Sequence, residues 1–211
     1  MYNIALVLES NDYYQNTSKS SLNFEDDQEW RTIEMSADPK ENLKDEIEKY
    51  LVRWDTRVPD WNTFVWQEKA DPKYQRAQRR YIGMGAGGRT SDSSALVPTS
   101  FTLSVMEIPP GNVGPMHDHI ENEFFFVLEG TLTMIWERDG VVVEEVVGPR
   151  DCLFCPPGIF RGLRNDTDQP ALLQVLIDVT KPTLPHYPPD SDLEALRVKR
   201  QSVKQKSETE D

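Results

Sequence analysis

Residues Gly111–Gly130 read GNVGPMHDHIENEFFFVLEG and carry two of the protein's three histidines, His117 and His119, one residue apart. In extended backbone successive side chains alternate between faces, so both imidazoles leave a strand on the same side. Glu123 stands four residues on, where a bend or the start of the next strand returns it to the same centre. Two imidazoles and one carboxylate converging from one side, with the other side open, form the facial triad of non-haem Fe(II) sites. A metal site held by His117, His119 and Glu123 is therefore the leading expectation. The plainer alternative is a pair of buried, hydrogen-bonded histidines with no ligand.

Downstream and just upstream of this stretch the chain reads as short strands with turns between them. Phe101–Ile108, Glu123–Leu128, Thr131–Glu137, Val141–Val147, Cys152–Cys155, Phe160–Arg164 and Ala171–Val179 are rich in Val, Leu, Ile and Phe. Pro109-Pro110-Gly111, Glu129-Gly130, Asp139-Gly140, Gly148-Pro149, Pro156-Pro157-Gly158 and Asn165-Asp166 separate them. Regular short strands of this kind predict a mostly β fold, a double-sheet jelly roll or barrel.

The spacing also resembles a family. Gly111, five residues, His117-x-His119, three residues, Glu123, six residues, Gly130 is similar at every fixed position to the first motif of the cupin superfamily. Arg150–Asn165, RDCLFCPPGIFRGLRN, resembles the second motif at Asp151, Pro156, Gly158 and Asn165. Arg150 stands where that family usually has glycine, and Arg161 where it usually has its last histidine ligand. The resemblance implies a cupin-type double-stranded β-helix, a divalent metal and a homodimer. For the metal, Fe(II) comes first, with Mn, Ni, Zn or Cu as alternatives.

Arg161 is the departure with chemical consequences, because a guanidinium offers only donors and cannot ligate a cation. Two outcomes stay open. If the triad holds its metal, Arg161 occupies the vacated space and clamps an anionic substrate. If the metal has been lost, Arg161 pairs with Glu123 and leaves a structural or binding cupin. The first makes Arg161 and Glu123 catalytic; alternation from Glu123 adds Phe125 to Arg161 as a pocket residue, and Trp136 and Gln174 join them as residues of strands that should also line the barrel, their facing left open. An aromatic, mostly apolar pocket with one arginine suits a small flat or carbonyl-bearing anion.

The remainder of the chain bounds these readings. Its 211 residues divide into an N-terminal extension with two short helices (1–95), the barrel (96–180) and a proline-rich exit with a short helix and a disordered tail (181–211). A net charge of -13 argues against nucleic acid or an anionic membrane as partner. Two cysteines make no disulfide framework, so a reducing cytoplasm is the expected location. On a strand Cys152 and Cys155 face opposite sides, which speaks against a redox or zinc pair.

Met1–Leu8 reads as a short strand and Asn11–Trp30 as polar loop. Asp38-Pro39 starts a helix whose Leu43, Ile47, Tyr50, Leu51 and Trp54 form one apolar packing stripe. Trp54, Trp61, Phe64 and Trp66 crowd the next connection and pack on the barrel or another subunit. A second capped helix is expected from Asp71-Pro72 to Ile82, with Lys73, Arg76, Arg79 and Arg80 on a solvated basic face. Gly83–Ser94 is a linker or lid; a phosphate loop would need a strand before it and a helix after it. His186 is expected at the surface, the alternative being an extra ligand folded over the mouth. Ser191 and Glu194 form a capping box for a helix to Lys199.

Three functions follow: an Fe(II) dioxygenase acting on a small chelating substrate, a metal-dependent isomerase or lyase using the same residues, or a non-catalytic cupin that binds a small molecule or a partner subunit.

Overall fold

The computed structural model describes residues 38–84 and 95–209. The expected Met1–Leu8 strand, the Asn11–Trp30 loop and most of the glycine-rich segment lie outside the described residues. The chain divides into two compact units, residues 1–42 and 43–211, and the barrel belongs to the second.

Nine strands are described: β1 (Ala77–Ile82), β2 (Thr102–Ile108), β3 (Val113–His117), β4 (Glu123–Glu129), β5 (Leu132–Arg138), β6 (Val141–Val147), β7 (Cys152–Cys155), β8 (Phe160–Arg164) and β9 (Ala171–Ile177). They form a five-stranded sheet in the order β1-β2-β9-β4-β7 and a four-stranded sheet in the order β3-β8-β5-β6. Every pairing between them is antiparallel. The mostly β, two-sheet jelly roll expected from the strand pattern is the fold.

Strict alternation builds the core between the sheets. Along β9, Ala171, Leu173, Val175 and Ile177 are buried, while Leu172, Gln174 and Leu176 turn to the opposite face. Phe125 and Val127 of β4, Met134 of β5 and Leu163 of β8 meet them in one apolar cluster. Each such buried side chain contributes about 1.5–3 kcal/mol relative to exposure. Cys155 enters the core and Cys152 faces outward, as expected for positions three apart on a strand.

Turn chemistry holds the motif ends. Gly130 sits at φ +77, and an added Cβ there would lie 2.9 Å from the Ala171 backbone. Arg150 also adopts positive φ, +81, so the turn keeps a conformation suited to glycine although the residue is arginine. Asn165 is buried and bridges turns: its Nδ2 donates to the carbonyls of Ile108 and Gln169, and its Oδ1 accepts from Thr167.

Several expectations need correction. Asp71 does cap, accepting from the Lys73 amide at 3.0 Å, but it starts only a single 3-10 turn, Pro72–Tyr74. The chain then becomes β1, which pairs with β2, so the five-stranded sheet begins well before residue 96. Arg76, Gln78 and Arg80 are buried at period two, whereas Arg79 points away to Glu107 at 2.7 Å and to the Trp54 ring. Arginines at 76, 79 and 80 also fit a helical face, and with no apolar alternation the periodicity is ambiguous. The free edge of β2 decides in favour of strand.

The helix α1 (Pro39–Glu48) is present, but Leu43, Ile47, Tyr50, Leu51 and Trp54 remain 42–70% exposed, so their stripe is no packing face among the described residues. The final helix runs from Asp192 to Thr209, past Lys199 and into the expected disordered tail. Ser191 Oγ accepts from the Glu194 amide, as a cap should, but the Glu194 carboxylate turns to the Tyr187 amide and to Arg197. No helix among the described residues is long and apolar enough to cross a membrane.

Candidate metal centre

Three chain segments bring the triad together at one end of the barrel core. His117 is the last residue of β3, and His119 follows after the Asp118–His186 backbone bridge. Glu123 is the first residue of β4, in register with Cys155 and Ile177. The expected start-of-strand return of the carboxylate is thus what the fold does. One ligand atom from each of His117, His119 and Glu123 lies within 4.8 Å of the others. The two imidazoles stand edge to face, ring centroids 5.2 Å apart.

The donor set fits a cation. His117 Nδ1 lies 2.8 Å from the Pro115 carbonyl, which can only accept, so Nδ1 carries the proton. Its Nε2 then presents a lone pair toward Glu123 Oε2 at 3.6 Å, with His119 Nε2 at 3.9 Å from Glu123 Oε1. Acceptor facing acceptor in a buried site is unfavourable unless a proton or metal lies between them. Burial, reinforced by neighbouring His117 and Arg161, lowers the His119 pKa to about 3 against the pull of Glu123, so this imidazole is neutral and able to ligate. His119 Nδ1 is buried without a hydrogen bond, and Glu121 Oε2, 3.7 Å away, is within reach as an outer acceptor for it. Burial opposes ionisation of Glu123, but the neighbouring imidazoles and the Arg161 guanidinium that donates to it outweigh burial and hold the carboxyl at about 2.

Arg161 is fully buried, and its donors are taken by carboxylates of the fold. Its Nε and Nη2 donate to Glu123 Oε2 at 3.1 and 3.0 Å, and its Nη1 donates to Asp118 Oδ1 at 2.8 Å. The pairing with Glu123 that stood as the second outcome is the one present. It leaves Glu123 Oε1 unclaimed by the guanidinium, and two carboxylates against one guanidinium give the cluster a net charge of -1. Asp118 also accepts from the Gly158 amide and so ties the second-motif turn to the loop between the histidines.

A cavity of about 50 Å³ opens beside the triad. His117, His119, Glu123 and Phe125 line it, while Arg161, Trp136 and Gln174 do not. Trp136 instead borders a surface depression with Val141 and Val143, and Gln174 lies on the outer face with Phe124 and Phe126. The alternation on β9 sends Gln174 outward because Val175 and Leu173 point in.

The sequence reading missed the opposite wall. Arg76, Gln78, Ser104, Gln67, Trp66 and Tyr187 complete the lining. The aromatic connection does pack on the barrel: Phe64 joins the core, and Trp66 meets Tyr187 edge to face at 5.6 Å. Tyr187 Oη accepts from Gln67 Nε2 at 2.7 Å, so the C-terminal exit crosses the cavity end. His186 itself stays exposed, bonded through its backbone to Asp118, in keeping with the surface expectation. The period-two placement of Arg76 and Gln78 is compatible with this wall, but their polar spacing fits a helix as well and so did not reveal it.

Comparison with known proteins places this geometry. Residues 104–179 match the model of the cupin domain. No curated protein matches the chain in sequence. Among solved structures, the polyketide cyclase RemF from Streptomyces resistomycificus is 19% identical with a TM-score of 0.50, covering 68% of this chain and 88% of that one. An oxalate oxidase in complex with the substrate analogue glycolate is 19% identical at TM-score 0.37, over 39% of this chain and 44% of its own. The DMSP lyase DddQ from Ruegeria pomeroyi DSS-3 is 26% identical at TM-score 0.43, over 56% of this chain and 54% of its own. The chain thus spans about half the length of the last two, and the likeness to RemF is one of fold. Both motifs lie on β3, β4, β7 and β8 inside the matched residues 104–179, and the match and the shared fold support a single cupin domain there.

Proposed function

We propose that the protein is a metal-dependent cupin enzyme in which His117, His119 and Glu123 hold one divalent cation. Fe(II) is preferred over Mn, Ni, Zn or Cu, and the reaction is a dioxygenation of a small chelating acid or carbonyl compound. The observation that carries this reading is the acceptor-to-acceptor approach of His117 Nε2 and Glu123 Oε2 at 3.6 Å, with His117 Nδ1 engaged by Pro115. When bound, such a cation would be held by His117, His119 and Glu123 and would supply Lewis acidity. The chain's own residues do the rest. Arg161 positions Glu123 by holding Oε2, while Asp118 holds Arg161. Phe64, Phe125, Met106, Leu163 and Val175 wall the cavity and exclude water. The same arrangement serves an isomerase or lyase on a metal-bound acid.

A second reading has its own observation. The Arg161–Glu123 ion pair resembles a site closed on itself, as in a cupin that binds a small molecule or a partner subunit without catalysis. Metal analysis of protein purified without added metal separates the two. Near-stoichiometric iron that disappears in His117→Ala, with substrate-dependent dioxygen uptake, supports the enzyme. Metal-free protein whose stability is unchanged by chelator supports the binder.

A reducing cytoplasmic location and a homodimer belong to the same proposal. Two free cysteines support the first. The exposed Phe126, Leu128 and Phe154 on the outer face of the five-stranded sheet support the second, which sedimentation checks.

A further inference from the structure

The cavity has a second pole that the triad does not use. Arg76, 4% exposed, enters it from the residue preceding β1. Its Nη1 donates to the carbonyls of Tyr74 and Val113 at 2.7 and 3.1 Å, and its Nη2 donates to Gln67 Oε1 at 2.7 Å. All three partners are neutral. The guanidinium carbon lies 4.2 Å from the centre of the Phe64 ring, and Nε is buried with no hydrogen-bond partner. Burial lowers the Arg76 pKa to about 10, which still leaves the group charged at neutral pH.

Arg76 is not alone in this. Gln78 uses one end of its amide on Ser104 Oγ at 2.9 Å, and the other end is buried without a partner. Trp66 Nε1 is likewise unpartnered and also belongs to a cavity-lining residue. Buried polar atoms in folded proteins nearly always find partners, so several orphans around one cavity mark an incomplete site. A buried cation with no carboxylate in hydrogen-bond contact, and only the field of Glu123 acting on it, is the costliest of them.

We propose that Arg76 anchors the carboxylate of a short-chain acid, with the unpartnered Gln78 Oε1 accepting from a hydroxyl of that acid where it carries one and the triad facing its reacting end. The Nε edge of a guanidinium suits a carboxylate, and Arg76, unlike Arg161, has no carboxylate on it already. Volume restricts the guest: one water needs roughly 10–15 Å³ on this measure, so about 50 Å³ admits a short acid and not an extended ring system. The inference names the substrate class of the site proposed above and rests on reading this cavity as the reaction pocket.

The test is calorimetric titration with oxalate, malonate, pyruvate, glycolate and lactate, alongside oxamide, malonamide and lactamide as uncharged counterparts. Wild-type, Arg76→Gln and Arg76→Lys proteins are each titrated metal-loaded and after chelator treatment, with circular dichroism as the check on folding. At least one acid is expected to bind wild type about tenfold or more tightly than its amide. Arg76→Gln loses that preference by about ten- to a hundredfold, and Arg76→Lys, which keeps charge but not the fork, loses less. If Arg76→Gln fails to fold, the wild-type preference and its weakening in Arg76→Lys decide.

The proposal is overturned if no acid is preferred over its amide, or if folded Arg76 variants keep the wild-type preference. Acid binding that vanishes with the metal but ignores Arg76→Gln overturns this inference and leaves the metal reading standing. An Arg76-dependent preference that is indifferent to metal supports the anchor and counts against the metal reading.

Discussion

Two arginines are buried in this barrel, and their surroundings are opposite. Arg161 has Glu123 on one edge and Asp118 on the other, so its charge is neutralised within the fold. Arg76 has two carbonyls, an amide oxygen and an aromatic face, and no carboxylate within salt-bridge distance among the described residues. A buried group whose partners are all internal holds its neighbours in place. One whose charge is left uncompensated is available to something from outside. Residue type and burial, taken alone, do not distinguish the two roles.

Replacing each arginine should break the comparison in different ways. Arg161→Met strands two carboxylates in or beside the core and should cost about 3–5 kcal/mol in denaturant unfolding, the largest effect expected of any single change here. A loss below about 1 kcal/mol would mean that the ion pair does not form.

Acid should act on the Arg161 pole next. Glu123 is held at about 2 and His119 at about 3 in the fold, both below their ordinary values of 4.5 and 6.5. As pH falls below 6.5 the unfolded chain protonates the imidazole first and below 4.5 the carboxyl too, while the folded chain protonates neither. The unfolded state then binds more protons, so stability present above pH 6.5 declines toward pH 2. Metal-stripped protein should lose several degrees of Tm between pH 7 and pH 4. The slope should survive in Arg76→Met, because no carboxylate pairs with that residue, and a flat profile in wild type would contradict the burial of His119.

Arg76→Met should cost less than Arg161→Met, about 1–3 kcal/mol, since the bonds lost are to neutral groups. The ordering of the two variants by chemical denaturation is the check. Smallest of all, Arg150→Gly should change stability by within about 1 kcal/mol. Relief of the positive φ is offset by the greater chain entropy of glycine. A loss larger than that would show that the Arg150 side chain has a role beyond its turn.

Much of the barrel was legible because apolar alternation on β2, β4, β5 and β9 has no other economical reading. The triad was legible because His117, His119 and Glu123 lie close together in the chain, so strand geometry alone nearly aligns them. Spacing marked the position of Arg161 and left two outcomes for it: whether its guanidinium faces substrate or Glu123 depends on Asp118, which holds the far side. Trp136 and Gln174 were misplaced for a related reason. Alternation fixes relative facing within a strand but leaves open which set points inward until the partner sheet is known.

The sequence by itself determined a two-sheet barrel and a cluster of two imidazoles and a carboxylate, because both follow from local spacing and the period of extended backbone. Only the tertiary structure decided that residues 77–82 are a strand, that Arg161 is internally neutralised and that Arg76 faces the cavity. Each of these turns on what a distant segment offers: the free edge of β2, the carboxylate of Asp118, and the wall closed by Tyr187. Hydrogen-bond satisfaction and charge pairing are non-local, and a chain read in order carries no record of which donors will be left without a partner.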